Sequence, residues 1–375
     1  MHCFLVTGAS GVVGGALVPV LLQQPATRVL VLLRPRGEQT VAARLEQLKN
    51  FWRNHYPGLP PSALDQRLTA LTGDISAPGL GLSSEDTAEV IAHCTHLVHC
   101  AASVRLNQPL PAARAAAVAP TAAVIALARR CTRLCKVEFV STVGVGGRWG
   151  AALPERWLHE TRVFHNTYEQ AKAEAEALIE AAIAQGLPAS VHRPSMVVGD
   201  SRTGVTPHFQ IFQFLCEFLS GRQTCGLTPQ LGQAQLDIVP NDYVAAAIAA
   251  VALTPDSVGQ IFHLCAGPQH ALALKALQRT VRTRFRREGR LGAWPLLRLP
   301  SSWFLRLMRW LAPLLPPARR RALDTLPVYL DYLGSRQVFE NGHSQARLQA
   351  LGVRLPDTHT TLARALDYYF AVTRR

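Results

Sequence analysis

Short apolar runs alternate with longer stretches of helical periodicity through the first two thirds of the chain. The apolar runs Cys3–Val6, Val29–Leu33, Leu68–Leu71, His96–Cys100, Val137–Ser141 and Ser190–His192 predict strands. Between them, Val12–Gln23, Val41–Phe51, Glu85–His93, Leu110–Cys131 and Thr167–Gln185 predict helices. Gln235–Val239 and Ile261–Leu264 read as further strands, with a helix over Asp242–Leu253. Strand and helix in strict alternation predict an α/β fold, a doubly wound parallel sheet of the Rossmann type with crossover helices. The pattern changes after Gly204: 204–235 mixes helix and turn, and beyond Cys265 the chain is helical, arginine-rich and punctuated by proline. This divides the chain into a nucleotide-binding domain, 1–200 plus 236–264, and a smaller, mostly helical substrate lobe, 201–235 plus 265–375. No internal repeat and no low-complexity linker interrupts it.

The first strand runs into Gly8-Ala9-Ser10-Gly11-Val12-Val13-Gly14 and then a helix. Glycine permits the tight turn, lets backbone N–H groups approach a pyrophosphate, and lets the helix pack close to the sheet. The helix N-terminus then faces the phosphate charge. Gly8, Ser10, Gly11, Val12, Val13 and Gly14 are therefore the candidate phosphate contacts of a dinucleotide. The second strand ends in Leu33-Arg34-Pro35-Arg36, where an NAD enzyme usually carries an acidic residue for the ribose hydroxyls. Arginine suits a 2′-phosphate instead, so the expected cofactor is NADPH (NADP), held by Arg34 with Arg44 as a second contact. Arg36 reads as a solvated charge. Asp74 and Ile75 after the third strand are placed for the adenine. Ala101 and Ala102 after the fourth supply small residues beside the cofactor, and His99 reads as a strand residue packed inside.

Tyr168 and Lys172 are spaced i, i+4, so both lie on one helix face. An ammonium beside the phenol would favour phenolate and lower the tyrosine pKa from near ~10 toward working pH. A phenol so tuned can give a proton to a developing alkoxide.

The 375 residues carry a formal charge of +14, almost all of it arginine. Base composition of the genome is the plain reading of that bias; an acidic partner such as a phosphorylated cofactor, coenzyme A, an acyl carrier protein or an anionic membrane is the functional one. No nucleic-acid-binding module is present, so nucleic acid is not an expected partner. The eight cysteines form no C-x-x-C pair and read as reduced thiols of a cytoplasmic protein, and no metal site is expected. The apolar N-terminus lacks a basic leader and reads as the first strand and helix. No run of about 20 uninterrupted apolar residues predicts a membrane span.

These segments together resemble the extended short-chain dehydrogenase/reductases. More narrowly they resemble the reductases of acyl thioesters: fatty acyl-CoA reductases and the thioester reductase domains of carboxylic acid reductases and peptide synthetases, the group described as male-sterility-type. The matching stretches are Thr7–Gly14, Leu33-Arg34, Gly73-Asp74-Ile75, Ala101–Val104, Phe139–Thr142, Asn166–Glu176, Arg193–Asp200 and Asp237–Val244. Val338–Asn341 and Leu351–Val353 echo the end of the group more loosely. The resemblance implies a catalytic triad of Thr142, Tyr168 and Lys172, with Thr142 preferred to Ser141 for the hydroxyl. It implies that Pro194, Ser195 and Val197 line the nicotinamide side, and that Tyr168 and Lys172 also touch the cofactor. It implies reduction of an acyl-CoA or carrier-bound thioester to aldehyde or alcohol, within lipid metabolism. One departure is Ala117, where the group usually carries an asparagine that orders a water behind the lysine; Ala171 in place of a common serine is a second. The competing readings are a hydroxysteroid-dehydrogenase-like or other carbonyl/alcohol oxidoreductase, and a non-catalytic NADP-binding scaffold. A sugar-nucleotide epimerase fits less well, because that group prefers an acidic residue where Arg34 stands.

Residues 294–321 interleave arginine with Trp294, Trp303, Met308, Trp310 and leucines. That mix fits an ordinary packed amphipathic helix, peripheral membrane contact or an acyl lid, or docking of an acidic carrier.

Overall fold

The computed structural model describes the chain apart from residues 231, 233, 293–294, 312, 314–333, 335–337 and 374–375. Its centre is a parallel sheet. The strands are β1 (His2–Thr7), β2 (Thr27–Leu33), β3 (Leu68–Thr72), β4 (His96–His99), β5 (Lys136–Val140) and β6 (Ala189–Pro194). Short strands β7 (Met196–Val198), β8 (Leu227–Pro229), β9 (Gln235–Leu236) and β10 (Ile238–Pro240) precede β11 (Ile261–Leu264), and β12 (Leu272–Ala273) and β13 (Leu297–Leu299) follow. The seven-stranded sheet has the order β11-β6-β5-β4-β1-β2-β3.

Both faces of this sheet are covered, and the sequence shows how. Along β1, Phe4 and Val6 enter one core while Cys3 and Leu5 enter the other; along β2, Val29, Val31 and Leu33 alternate in the same way with Leu30 and Leu32. A period of two with apolar residues at both phases is the signature of a strand buried on each side. Helices α1 (Val12–Gln23), α2 (Val41–His55) and α3 (Pro61–Gln66) lie on the first face, with Trp52 of α2 donating its buried indole N–H to the Gly15 carbonyl at 2.7 Å. Helices α4 (Ser84–His93), α5 (Leu110–Arg130) and α6 (Thr167–Ala184) cover the second. Helices α7 (Ile211–Ser220) and α8 (Asn241–Ala252) follow, and α8 returns to pack on α1.

Among the described helices, α5 alone is long and apolar enough to cross a membrane by length and composition, although Arg114 interrupts its apolar run. Here it lies against α6, with Ala113, Ala117, Val124 and Leu127 in the core and Arg114 paired to Glu174 at 2.7 Å.

The smaller lobe has its own core, built from α7, α9 (Leu274–Arg287) and the helix Thr358–Val372. Helix α10 (Ser301–Leu311) attaches through Phe304 and Met308. Two boundaries differ from expectation. The single strand expected over Gln235–Val239 is two, β9 and β10, in different sheets. The break falls at the buried Asp237, whose carboxylate accepts N–H bonds from Ala266 and Gly267, both at 2.8 Å. The helix Gly342–Ala350, expected in the lobe, packs on the main sheet: the Ser344 hydroxyl accepts the His263 N–H at 2.8 Å, and Leu348 enters the β1 core.

Candidate functional site

The strand order reverses beside β1, which has β2 on one side and β4 on the other. Connections leave in opposite directions there and open a crevice beyond the strands' C-terminal ends. A cavity of about 830 Å³ occupies that crevice. It is lined by every cofactor and catalytic candidate above: the loop residues Gly8 to Gly14 apart from Ala9, then Arg34, Arg44, Asp74, Ile75, Ala101, Ala102, Thr142, Tyr168, Lys172, Pro194, Ser195 and Val197.

The glycine loop is shaped by backbone crowding. Gly8 has φ +79°, the left-handed region that glycine enters without strain. Gly11 donates its N–H to the Gly8 carbonyl at 2.8 Å, and a Cβ on Gly14 would stand 2.3 Å from that same oxygen. Any side chain at Gly14 would push the loop away from α1. The first turn of α1 lines the cavity, and the N–H groups of a helix N-terminus are the cradle a pyrophosphate requires.

At the end of β2 the guanidinium of Arg34 meets the Asp74 carboxylate at 3.1 Å. Arg44, from α2, donates to the Arg34 carbonyl at 2.5 Å and to the Ser10 hydroxyl at 3.4 Å. Burial, then the charges of Arg36 and Arg34, pull the Arg44 pKa below its ordinary value. Arg36, read from sequence as merely solvated, is exposed yet lines the cavity beside the other two. Three guanidiniums thus crowd one rim against a single carboxylate. Asp74 is held below the usual carboxylate range by hydrogen bonds from the Ser76 hydroxyl and amide, and further by Arg34.

Asn166 caps α6, its side chain accepting the Glu169 N–H at 2.9 Å. This sets Tyr168 in the first turn and Lys172 one turn later. The lysine does not tune the phenol as the spacing suggested. Its Nζ donates to the Val140 carbonyl at 2.7 Å and stands 4.4 Å from the centre of the Phe139 ring. Burial lowers the Lys172 pKa to about 8, opposed by Glu176 and Cys100. The half-buried phenol rises to about 12, through burial first and the Glu169 carboxylate second, while a hydrogen bond with the Thr142 side chain works the other way. Tyr168 is thus held as a protonated acid.

Thr142 follows β5 and accepts the Gly144 N–H at 3.1 Å, and the same side chain meets the Tyr168 phenol on the cavity wall. Ser141, its rival, donates to Glu176 at 2.6 Å and is buried; Glu176 in turn binds Arg193 in a buried ion pair. Ser141 also lines the cavity, but its hydroxyl is committed to the buried Glu176. His99 bonds Thr7 at 2.8 Å, and burial takes its pKa down to about 3, so it is a neutral strand residue.

Ala117 is buried in the core and does not reach the cavity. Its neighbours Ala115, Ala116 and Pro120 do. Pro120 has no N–H, so the Ala116 carbonyl loses its helical donor, and the Thr121 hydroxyl donates back to the Ala117 carbonyl at 2.7 Å.

Sequence reasoning missed the far wall. Met196, Ile211, Phe212 and Leu215 give it an apolar surface from β7 and α7, with His208 and Gln210 beside them. The apolar run Ile211–Ser220 was visible, but nothing local says that one flank of it faces the nucleotide fold. Among the described residues no group of three or more His, Cys, Asp or Glu could hold a metal ion.

A glycine-cradled Rossmann crevice with a Tyr–Lys pair on its wall defines an NAD(P)-dependent oxidoreductase of the extended short-chain dehydrogenase/reductase class. The NAD-binding family described as male sterility protein matches residues 6–248. The chain belongs to that family. It is 31% identical to isonitrile lipopeptide synthase of Streptomyces coeruleorubidus, over 66% of this chain and 16% of that protein. It is 27% identical to the aldehyde reductase lnbA of Aspergillus flavus, over 69% of this chain and 26% of that one. The chain therefore spans about a quarter or less of these curated relatives. Among solved structures, the terminal R domain from the myxalamid PKS-NRPS biosynthetic pathway superposes with a TM-score of 0.77 at 27% identity, covering 99% of this chain and 91% of that domain. A thiolation-reductase di-domain from an archaeal non-ribosomal peptide synthetase shares the fold, with a TM-score of 0.73 at 17% identity.

Proposed function

We propose that this protein is an NADPH-dependent reductase of acyl thioesters, presented on a carrier protein or on coenzyme A. The observation that carries the reading is one cavity with three districts: a glycine cradle with an arginine rim, an acid pair at Tyr168 and Thr142, and an apolar wall from α7. The residues fit a phosphorylated dinucleotide. The cradle at Gly8 and Gly14 admits no side chain, and Arg34, Arg36 and Arg44 supply positive charge where a 2′-phosphate would stand, which favours NADP over NAD. When bound, the reduced nicotinamide supplies a hydride. Lys172 would hold the nicotinamide ribose. The acyl chain lies along Met196, Ile211, Phe212 and Leu215.

The oxygen of a thioester carbonyl gains negative charge as it is reduced. Tyr168 and Thr142 are preorganised donors for that oxygen, a role typically worth ~2.7–4 kcal/mol per donor. Tyr168, kept protonated by burial, delivers its proton to the same atom. The resulting thiohemiacetal collapses to aldehyde and thiol; a second reduction of the aldehyde gives the alcohol.

The reading includes a cytoplasmic location with peripheral membrane contact. The support for that contact within 294–321 is α10, whose Trp303 and Trp310 are 67% and 74% exposed. Trp294, 312 and 314–321 lie outside the described residues. Aromatic and arginine side chains on one exposed helix suit a headgroup layer. Co-sedimentation with anionic vesicles, lost in a Trp303→Ser/Trp310→Ser variant, is the expected result; no sedimentation of the parent protein refutes the contact. For the reaction, NADPH and a panel of acyl thioesters are incubated with the protein and the products are analysed by mass spectrometry. Thiol and aldehyde or alcohol are expected. Turnover of ketones and alcohols alone would assign the carbonyl oxidoreductase reading instead.

A further inference from the structure

The substrate lobe carries an arginine groove away from the catalytic cavity. Helix α9 is amphipathic: Leu274, Leu277, Val281 and Phe285 are buried in the lobe core, and its opposite face is cationic. Lys275, Arg279, Arg286 and Arg287 are exposed there and form no ion pair with the described residues. The local carboxylates are already engaged: Arg284 binds Glu288 at 3.1 Å and Asp367 at 2.7 Å, and Arg364 shares Asp367. Between α9 and the helix Thr358–Val372 lies a recess of about 530 Å³, lined by Arg279, Thr280, Thr283 and Arg287, by the Arg284–Asp367 ion pair, and by the apolar floor of Leu366.

The inner side of α9 ties this groove to the reaction. Arg282 turns inward and donates to the Ser220 carbonyl at 2.8 Å, at the C-terminal end of α7. Helix α7 is the apolar wall of the catalytic cavity. One helix layer thus separates a groove of net positive charge from the acyl site.

We propose that this groove is the docking surface for the acidic helix of the carrier protein that delivers the thioester. The inference rests on the thioester reading above and names where its macromolecular partner binds. Charge complementarity selects the occupant. From Lys275 to Arg287 the cationic face runs roughly 18 Å along the helix, the length of a helix presenting several carboxylates and more than a single phosphate covers. A recess walled by hydroxyls and guanidiniums suits side-chain insertion, whereas a membrane favours a convex face with apolar residues projecting from it.

The test uses the full chain. Affinity for a fluorescently labelled, octanoyl-loaded acyl carrier protein is measured by anisotropy, which requires no turnover. Arg279→Glu/Arg287→Glu should weaken binding about tenfold or more, and added salt should weaken the parent protein toward the variant. Both arginines are exposed and form no ion pair with the described residues, so the fold should survive; an unchanged thermal midpoint and unchanged reduction of octanoyl-N-acetylcysteamine check this. Failure of the parent protein to reduce that carrier-free thioester would sink the thioester reading and leave the binding result standing. Unchanged carrier affinity in the variant overturns the docking surface. So does a defect that appears equally with octanoyl-CoA, which would make the groove a phosphate subsite, or one confined to anionic vesicles, which would make it a membrane face.

Discussion

Replacing Arg44 with alanine should make the protein lose its preference for the phosphorylated cofactor while leaving the fold intact. Hydrogen bonds from a guanidinium to a charged acceptor contribute roughly 1.5–3 kcal/mol. Arg44 is partly buried against Ser10 and the Arg34 carbonyl, so the middle of that range applies. About 2 kcal/mol corresponds to a roughly thirtyfold rise in KM for NADPH. Arg34, with 64% of its side chain exposed, is screened by solvent and should cost about 1 kcal/mol, near fivefold. Its removal also leaves the Asp74 carboxylate facing the phosphate. The apo protein should respond in the opposite sense. Arg34, Arg36 and Arg44 repel one another, so Arg44→Ala should leave the thermal midpoint unchanged or slightly higher. Steady-state rates are followed through nicotinamide absorbance with NADPH and NADH in parallel. The NADH constants should not move, and the NADPH penalty should shrink as salt is added. A matched loss with both cofactors would refute the reasoning, because Arg44 would then be holding the loop and not reading the phosphate.

Other substitutions separate scaffold from chemistry. Thr142→Ala should lower kcat about a hundredfold with little change in stability, whereas Ser141→Ala should cost about 1–3 kcal/mol of stability by removing a buried hydrogen bond to the charged Glu176, which keeps Arg193; denaturant titration and kcat on the same preparations decide between them. Gly14→Ala puts a methyl 2.3 Å from the Gly8 oxygen, so it should abolish cofactor binding by calorimetry, even though alanine is the better helix former. Lys172 has its pKa lowered from 10.5 to about 8, so the folded protein releases this proton before the unfolded chain does. Its contribution to stability should rise with pH between about 8 and 10.5 and be lost as pH falls through 8. The difference in thermal midpoint between the parent protein and Lys172→Met should therefore vary across that window; a constant offset would contradict the assignment.

The phosphate cradle was legible because its determinants are local. Three glycines, a preceding strand and a following helix occupy consecutive positions, and crowding at Gly8 and Gly14 follows from them alone. The parallel sheet was legible for the same reason, since β1 and β2 are apolar at both phases. What could not be read depends on which way side chains turn in three dimensions. The Tyr168–Lys172 spacing places two groups on one face but does not say that the ammonium points at the Val140 carbonyl and the phenol beside Glu169. Ser141 and Thr142 are adjacent hydroxyls in sequence; only the buried Glu176–Arg193 pair separates their roles. The wall formed by α7 and the break at Asp237 arise from contacts with segments far along the chain, as does the return of Gly342–Ala350 to the main sheet.

The central claim is that Tyr168 and Thr142 protonate and hold the carbonyl oxygen of a thioester under reduction by NADPH. Its most direct measurement is one incubation of the purified protein with NADPH and an octanoyl thioester, in which NADPH consumed, free thiol and octanal plus octanol are quantified together. The account predicts one thiol released per acyl group reduced, with one NADPH for each aldehyde and two for each alcohol, and loss of all three signals in Tyr168→Phe with cofactor binding retained. Release of thiol without NADPH consumption, or undiminished reduction by Tyr168→Phe, would contradict it.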